Sequence, residues 1–198
     1  MILFIGQVGT EFLEREAFQE IDYRRMFGPL AKWVAQIDRA ERIPEFVARA
    51  YQTATAGRMG PVVLALPEDV LFAKTVAMDA RRWQRVEAAP PVPEMERFSQ
   101  LLRDARRPIV IVGGSGWTDA AYEDLRRFAE TQAVPVACAF RYQHLFDNTH
   151  ASYAGDVGVG VNPDLAARIR SADLIICIGA RLGDMTTSGY ELLRAPVP

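Results

Sequence analysis

The sequence predicts an α/β protein: parallel-sheet layers with helices on both faces, arranged as two units. Three observations lead there. Strand-like and helix-like segments alternate along the 198 residues. The runs Ile109 to Val112 and Leu174 to Ile178 are continuously apolar, as parallel strands covered on both faces should be. A stretch without periodicity, carrying Pro90, Pro91 and Pro93, divides the alternation into two blocks.

Leu3 to Ile5 reads as a buried strand, with Gly6-Gln7-Val8-Gly9 as the loop leaving its end. A domain rarely opens on a core strand with no lead-in. The chain also stops at Ala195-Pro196-Val197-Pro198, soon after a strong strand, so an interior piece of a longer protein is expected. Lys32 to Ile37 predicts a second strand. Pro44 then suits the first turn of a helix whose stripe is Val47, Ala50, Tyr51 and Ala54, closed by Gly57. Val62 to Leu66 is a run of strand formers halted by Pro67-Glu68-Asp69. These elements place the first unit at residues 1–75, a linker at 76–95 and the second unit at 96–198. The second unit starts with Phe98, Leu101, Leu102 and Ala105 on one helix face. It continues as strand 109–112, helix 119–131, strand 134–139, helix 163–170 and strand 174–178, which implies right-handed crossovers.

Bulk composition narrows the function classes. With 49% hydrophobic and 24% charged residues and a net charge of −2, the chain has no electrostatic bias toward nucleic acid or an anionic membrane. Arg81, Arg82 and Arg85, and Arg103, Arg106 and Arg107, cluster among acids as solvated surface. No apolar run approaches the roughly 20 residues of a membrane span. Cys138 and Cys177 fall inside apolar runs and read as buried, unpaired thiols, consistent with a cytoplasmic setting. No cysteine–histidine spacing points to a metal site, so metal ligands are expected to be none.

The clearest local signal is Pro108-Ile109-Val110-Ile111-Val112 running into Gly113-Gly114-Ser115-Gly116 and then a helix. A strand entering a helix through glycines aims backbone N–H groups and the positive helix end at one place, which suits a phosphate. The third glycine of the dinucleotide fingerprint is replaced by Asp119, however, and an acid there opposes a bound phosphate. A purely structural turn stays open, with Asp119 or Thr118 as the helix cap. Arg141, just past the next strand, faces an adenine nucleotide held at the neighbouring turn or is plain surface. Gly155-Asp156-Val157-Gly158-Val159-Gly160 reads as a flexible loop before a helix capped by Asn162 and started by Pro163. Arg181, in the loop after strand 174–178, is a candidate phosphate contact or the partner of Asp184. No catalytic constellation is visible: His144 and His150 are isolated, and Ser115 lacks a nucleophile motif. Glu11, Glu14, Glu16 and Glu20 read as a solvated helix face or loop.

Several segments taken together carry a resemblance. Ile5-Gly6-Gln7-Val8, Ala17-Phe18-Gln19-Glu20 and Thr55-Ala56-Gly57-Arg58-Met59-Gly60-Pro61-Val62, with Pro67-Glu68-Asp69-Val70, resemble the pyrimidine-binding domain of thiamine-diphosphate enzymes. The nearest group is the acetolactate synthase-like family of 2-oxo acid decarboxylases and carboligases. Arg107-Pro108 through Arg181-Leu182-Gly183-Asp184 resembles that family's Rossmann-like central domain. The resemblance covers nearly the whole chain in the family's order.

It implies thiamine diphosphate and Mg²⁺ as cofactors, a 2-oxo acid substrate and a homo-oligomer, dimer or tetramer. It also implies that the glutamate activating the aminopyrimidine lies before Met1, and that the Gly-Asp-Gly…Asn motif lies beyond Pro198. Gly155-Asp156-Val157 lacks that motif's second glycine and is no match. Gln19 is implied as a hydrogen-bond donor to a substrate oxygen and Phe18 as an apolar wall, against a locally packed pair. Arg58, Gly113, Gly114 and Arg181, with Gly116 of the same turn, match positions where some relatives bind FAD. The family's second arginine is missing after Arg181, so an ADP-like ligand or no ligand is equally open. Glu68 stands where true acetolactate synthases resemble lysine, which argues against that specific activity. The non-enzymatic alternative is a nucleotide-binding or assembly module.

Overall fold

The computed structural model describes residues 1–84, 86 and 88–193. Arg85 and the closing Ala195-Pro196-Val197-Pro198 lie outside the described residues. The chain divides into two compact units, Met1–Ala89 and Pro90–Pro198.

The first unit is a three-stranded parallel sheet of β1 (Ile2–Gln7), β2 (Trp33–Gln36) and β3 (Val62–Pro67) in the order β1-β3-β2. The β-branched and leucine-rich β3 takes the centre, where Val62 to Ala65 are fully buried. Short helices α1 (Tyr23–Phe27) and α3 (Glu68–Phe72) flank the long α2 (Ile43–Thr55). Pro44 sits in the first turn of α2, and Gly57 closes it with φ of 54°. The buried stripe of α2 keeps Ala50 and Ala54 of the expected set but not Tyr51. Ala50 and Ala54 let the helix approach the sheet, Phe46 stacks on Trp33 at 5.7 Å, and Tyr51 points outward toward Trp83 at 6.1 Å. The reading of β1 as a buried strand with Gly6-Gln7 in the following loop also needs correction. It is an edge strand with Phe4 half-exposed, and Gly6 and Gln7 remain in the ladder opposite Leu66 and Pro67.

The second unit contains α4 (Val92–Asp104), β4 (Pro108–Val112), α5 (Asp119–Gln132) and β5 (Val136–Ala139). After these come β6 (Tyr153–Val157), α6 (Pro163–Arg170), β7 (Leu174–Ile178) and α7 (Asp184–Thr187). All four strands are parallel in the order β6-β5-β4-β7. On one face α4 and α5 bring Phe98, Leu101, Leu102, Leu125 and Ala129 against Val110, Val112 and Cys138. On the other, Leu165, Ala166 and Ile169 of α6 pack on Ile109, Ile111 and Ala137. Helices therefore cover both faces, as the alternation predicted.

Four expectations differ in detail. Val92 to Met95, assigned to the linker, begin α4, because Pro91 is the N-cap and Pro93 occupies the first turn, where its missing N–H costs nothing. The strand expected at 134–139 starts at Val136, since left-handed Ala133 and the Val134 N–H to Ala129 bond still belong to the end of α5. The loop expected at residues 155–160 is in part β6, with Gly155 at φ of 119° and a register shift beside it. A Cβ on Gly155 would stand 3.2 Å from Leu165 Cδ2, so the glycine admits α6 close to the strand. Last, β7 is an edge strand whose Cys177 faces solvent, while Cys138 is buried, its thiol pushed up to about 11 by desolvation.

Candidate functional site

In a parallel α/β sheet, ligands bind beyond the carboxyl ends of the strands. In the first unit the ends of β1 and β3 open onto a cavity of about 710 Å³. Its walls include Gln7, Phe18, Gln19, Tyr23, Leu66 and Glu68. The structure thus brings Phe18 and Gln19 to one rim, with Phe18 88% exposed.

Gln7, only 7% exposed, closes the floor. Its Nε2 donates to the Ile21 carbonyl at 2.8 Å, and its Oε1 accepts from the Val8 N–H at 3.0 Å. Tyr23 donates its hydroxyl to the Gly6 carbonyl at 3.1 Å. The loop from Glu14 to Gln19 carries three non-glycine residues in left-handed backbone: Glu14 at φ 62°, Glu16 at 55° and Gln19 at 68°. The half-buried Glu20 carboxylate accepts from the Glu14 N–H at 2.5 Å and the Ala17 N–H at 3.1 Å. These backbone donors, Glu14 foremost, hold its pKa below the usual carboxylate range. Asp69, at the start of α3, accepts from the Thr10 N–H at 2.8 Å and hydroxyl at 2.6 Å, and that hydroxyl leads in lowering its pKa.

The sequence alone places Gln7 in a loop, and Glu20 on a solvated helix face or in a loop; the loop is what the structure shows for Glu20, with its carboxylate bound to backbone groups rather than free. One signal for Gln7 was available: it falls in phase with Leu3 and Ile5, the inward positions of β1. Glu20 had none, because its partners are backbone groups of a loop whose shape the sequence does not announce. Arg58 is exposed in the turn preceding β3, at the opposite end of that strand from Gln19.

In the second unit the strand order reverses between β4 and β7, and the glycine turn and Arg181 both follow these strands. The glycines have an internal explanation. A Cβ on Gly113 would lie 3.2 Å from the Ala180 Cα, and one on Gly114, at φ 73°, would overlap the Gly179 carbonyl. Val112 also bridges Gly179, and the Gly113 N–H donates to the Ile178 carbonyl at 3.0 Å. Two backbones therefore cross at the place where the glycine turn would hold a phosphate. Trp117 braces the turn by donating Nε1–H to the Gly113 carbonyl at 2.9 Å. Thr118, not Asp119, caps α5, accepting the Ala121 N–H at 3.2 Å. Gly116, at φ 92°, and the exposed Arg181 stand outside the crossing. Arg181 makes no ion pair with Asp184, whose carboxylate instead accepts the Met185 N–H at 2.8 Å. Arg141 lies over the Phe140 ring at 5.1 Å, and His150 bridges Glu130 at 3.1 Å.

Among the described residues no group of three or more His, Cys, Asp or Glu could hold a metal ion, and no helix is long and apolar enough to cross a membrane.

Comparison with known proteins fits this geometry. The acetolactate synthase large subunit of Corynebacterium glutamicum is 31% identical over 196 residues, covering 96% of this chain and 31% of its own length. The acetolactate synthase isozyme 3 large subunit of Escherichia coli K12 is 29% identical, covering 95% of this chain and 34% of its own. The crystal structure of benzoylformate decarboxylase from Polynucleobacter necessarius superposes with a TM-score of 0.79 at 30% identity, over 90% of this chain and 34% of that one. The chain thus spans about a third of the length of the relatives it matches. The model of the thiamine pyrophosphate enzyme central domain matches residues 95–197, more than half of the sequence, and the chain belongs to that family.

Proposed function

We propose that this chain is part of a thiamine diphosphate-dependent enzyme that decarboxylates or ligates 2-oxo acids. In this reading residues 1–75 are the later part of its pyrimidine-binding domain, a linker follows up to the start of α4 at Val92, and the rest is much of its central domain. The observation that carries it is the cavity beyond β1 and β3, with Gln19 and Phe18 at its rim, in a chain similar to acetolactate synthases and to a benzoylformate decarboxylase.

The residues present fit one part of such a site. An apolar wall of Phe18 and Leu66 and the amide of Gln19 suit a ring and a substrate oxygen. Mg²⁺ finds no anchoring cluster among the described residues, and in this reading the ligands of the metal and the diphosphate lie elsewhere in the assembled protein. Thiamine diphosphate, when bound, supplies the electron sink for cleaving or forming the carbon–carbon bond. Gln19 offers its amide N–H to the carbonyl oxygen of the 2-oxo acid and steadies the charge that develops there. Phe18 and Leu66 offer apolar surface on which a ring of the bound cofactor or substrate can pack. Assembly as a soluble cytoplasmic homo-oligomer completes this reading.

The test is direct. The full-length enzyme, given thiamine diphosphate and Mg²⁺, turns over a 2-oxo acid, while the isolated 198 residues do not. Release of CO₂ from pyruvate by the isolated chain would refute the division of the site.

A second reading, a nucleotide on the central domain, draws on the strand order β6-β5-β4-β7, which sets Gly116 and Arg181 beside a switch point. The backbone crossing fills the place between Gly114 and Gly179, so FAD or ADP has to lie outside it, near Arg181. Arg58 belongs to the other unit. Calorimetric titration with ADP and with FAD decides: micromolar binding abolished by Arg181→Ala supports this reading, and no heat with either ligand removes it.

A further inference from the structure

Ala17 to Glu20 form a tight turn closed by the Glu20 N–H donating to the Ala17 carbonyl at 3.0 Å. Gln19 is its third residue and, at φ 68°, takes the left-handed shape that such a position ordinarily gives to glycine or asparagine. A glutamine kept there gives up conformational energy to retain its side chain. Strained residues persist only where their surroundings over-determine the backbone. Packing cannot do so here, because Phe18 is 88% exposed and Gln19 is exposed too. What fixes the loop is polar: the Glu20 carboxylate gathers the N–H groups of Glu14 and Ala17, and Gln7 reaches from β1 to the Ile21 carbonyl. Glu20 thus clamps the near side of the turn, and Gln7 anchors the far side to the sheet.

We infer that Glu20 is a positioning residue, whose carboxylate holds the loop from Glu14 to Gln19 in the shape that presents the Gln19 amide at the cavity rim. The inference rests on the functional reading above. Glu20 touches no reacting atom and acts through Gln19. Its chemistry suits the task, since a carboxylate accepts two backbone N–H groups at once through separate oxygens. The neutral amide of glutamine offers only one accepting atom.

The test uses the full-length, cofactor-loaded enzyme and reads loop order and turnover separately. In Glu20→Ala, amide hydrogen exchange over residues 14–21 quickens by on the order of tenfold. A loosened donor of this kind costs roughly 10- to 100-fold in kcat/KM for the 2-oxo acid. Glu20→Gln, nearly isosteric and safe for folding, gives an intermediate loss in both. Gln19→Gly keeps the turn and removes the amide. In that background Glu20→Ala adds less than about twofold, because the group it positions is gone. Unchanged exchange in Glu20→Ala overturns the proposal, and so do losses that multiply in the double variant. If Gln19→Gly leaves turnover undiminished, the role given to Gln19 falls and this proposal with it, even while the exchange still responds to Glu20.

Discussion

Two loops, one in each unit, lie beyond the carboxyl ends of parallel strands and depart from ordinary backbone geometry by opposite means. Where the second unit's loops after β4 and β7 cross, the left-handed residues are glycines, Gly114 at φ 73° and Gly179 at 67°, and each has a peptide pressed where its Cβ would be. In the first unit the left-handed residues are Glu14, Glu16 and Gln19, held by carboxylate and amide hydrogen bonds with open space around their side chains. The glycines are there because two backbones touch. The non-glycine residues keep side chains at a strained position, as binding loops do. Glycine richness therefore draws the eye to the loop explained by packing, while the loop at the rim of the cavity proposed as the site is written in glutamates and glutamine.

The largest effect that would break this comparison is at the crossing. Gly114→Ala adds a left-handed penalty of about 1–2 kcal/mol and an overlap with the Gly179 carbonyl costing about 1–3 kcal/mol. Denaturant unfolding should show the second unit destabilised by roughly 2–5 kcal/mol. A change under about 0.5 kcal/mol would mean that the two backbones do not meet as described. Next in size is the cap of α5: Thr118→Ala leaves the Ala121 N–H without its acceptor and lowers stability by about 1 kcal/mol, whereas Asp119→Ala does much less.

The smallest effect sharpens the contrast through pH. Glu20 and Asp69 both have folded-state pKa values below their ordinary ones, through the Glu14 N–H and the Thr10 hydroxyl respectively. A depressed carboxylate contributes order above its unfolded pKa and loses it as the pH falls through the folded one. On acidification, amide exchange should therefore loosen residues 10–21 while the crossing of Gly113-Gly114 with Gly179-Ala180, which has no titratable side chain, stays protected. Equal loosening of both loops would contradict the assignment of their different restraints.

The alternation of β4, α5, α6 and β7 was legible because each is a long run with one periodicity and a clear start signal, such as Asn162-Pro163. By contrast, β6 was hidden: Gly155 and Gly158 dilute its pattern, and the need for glycine arises from the close approach of α6 and of Phe140. Phe18 and Gln19 were reached only through resemblance to a family, since nothing in their spacing marks a site. Glu20 and Gln7 were missed for a related reason. Their roles are hydrogen bonds to main-chain atoms, 6 and 14 residues away at the longest, and side-chain identity says nothing of such partners until the loop is folded.

The position of β7 has a practical consequence for anyone handling this chain. Among the described residues no strand pairs with the outer side of β7, and Cys177 is exposed beside it, so its main-chain donors and acceptors form a template onto which another extended segment can zip. Concentrated samples should be kept in a reductant such as dithiothreitol. Without it, a chance strand-to-strand encounter can be locked covalently by thiol oxidation, and a reversible association becomes a permanent one.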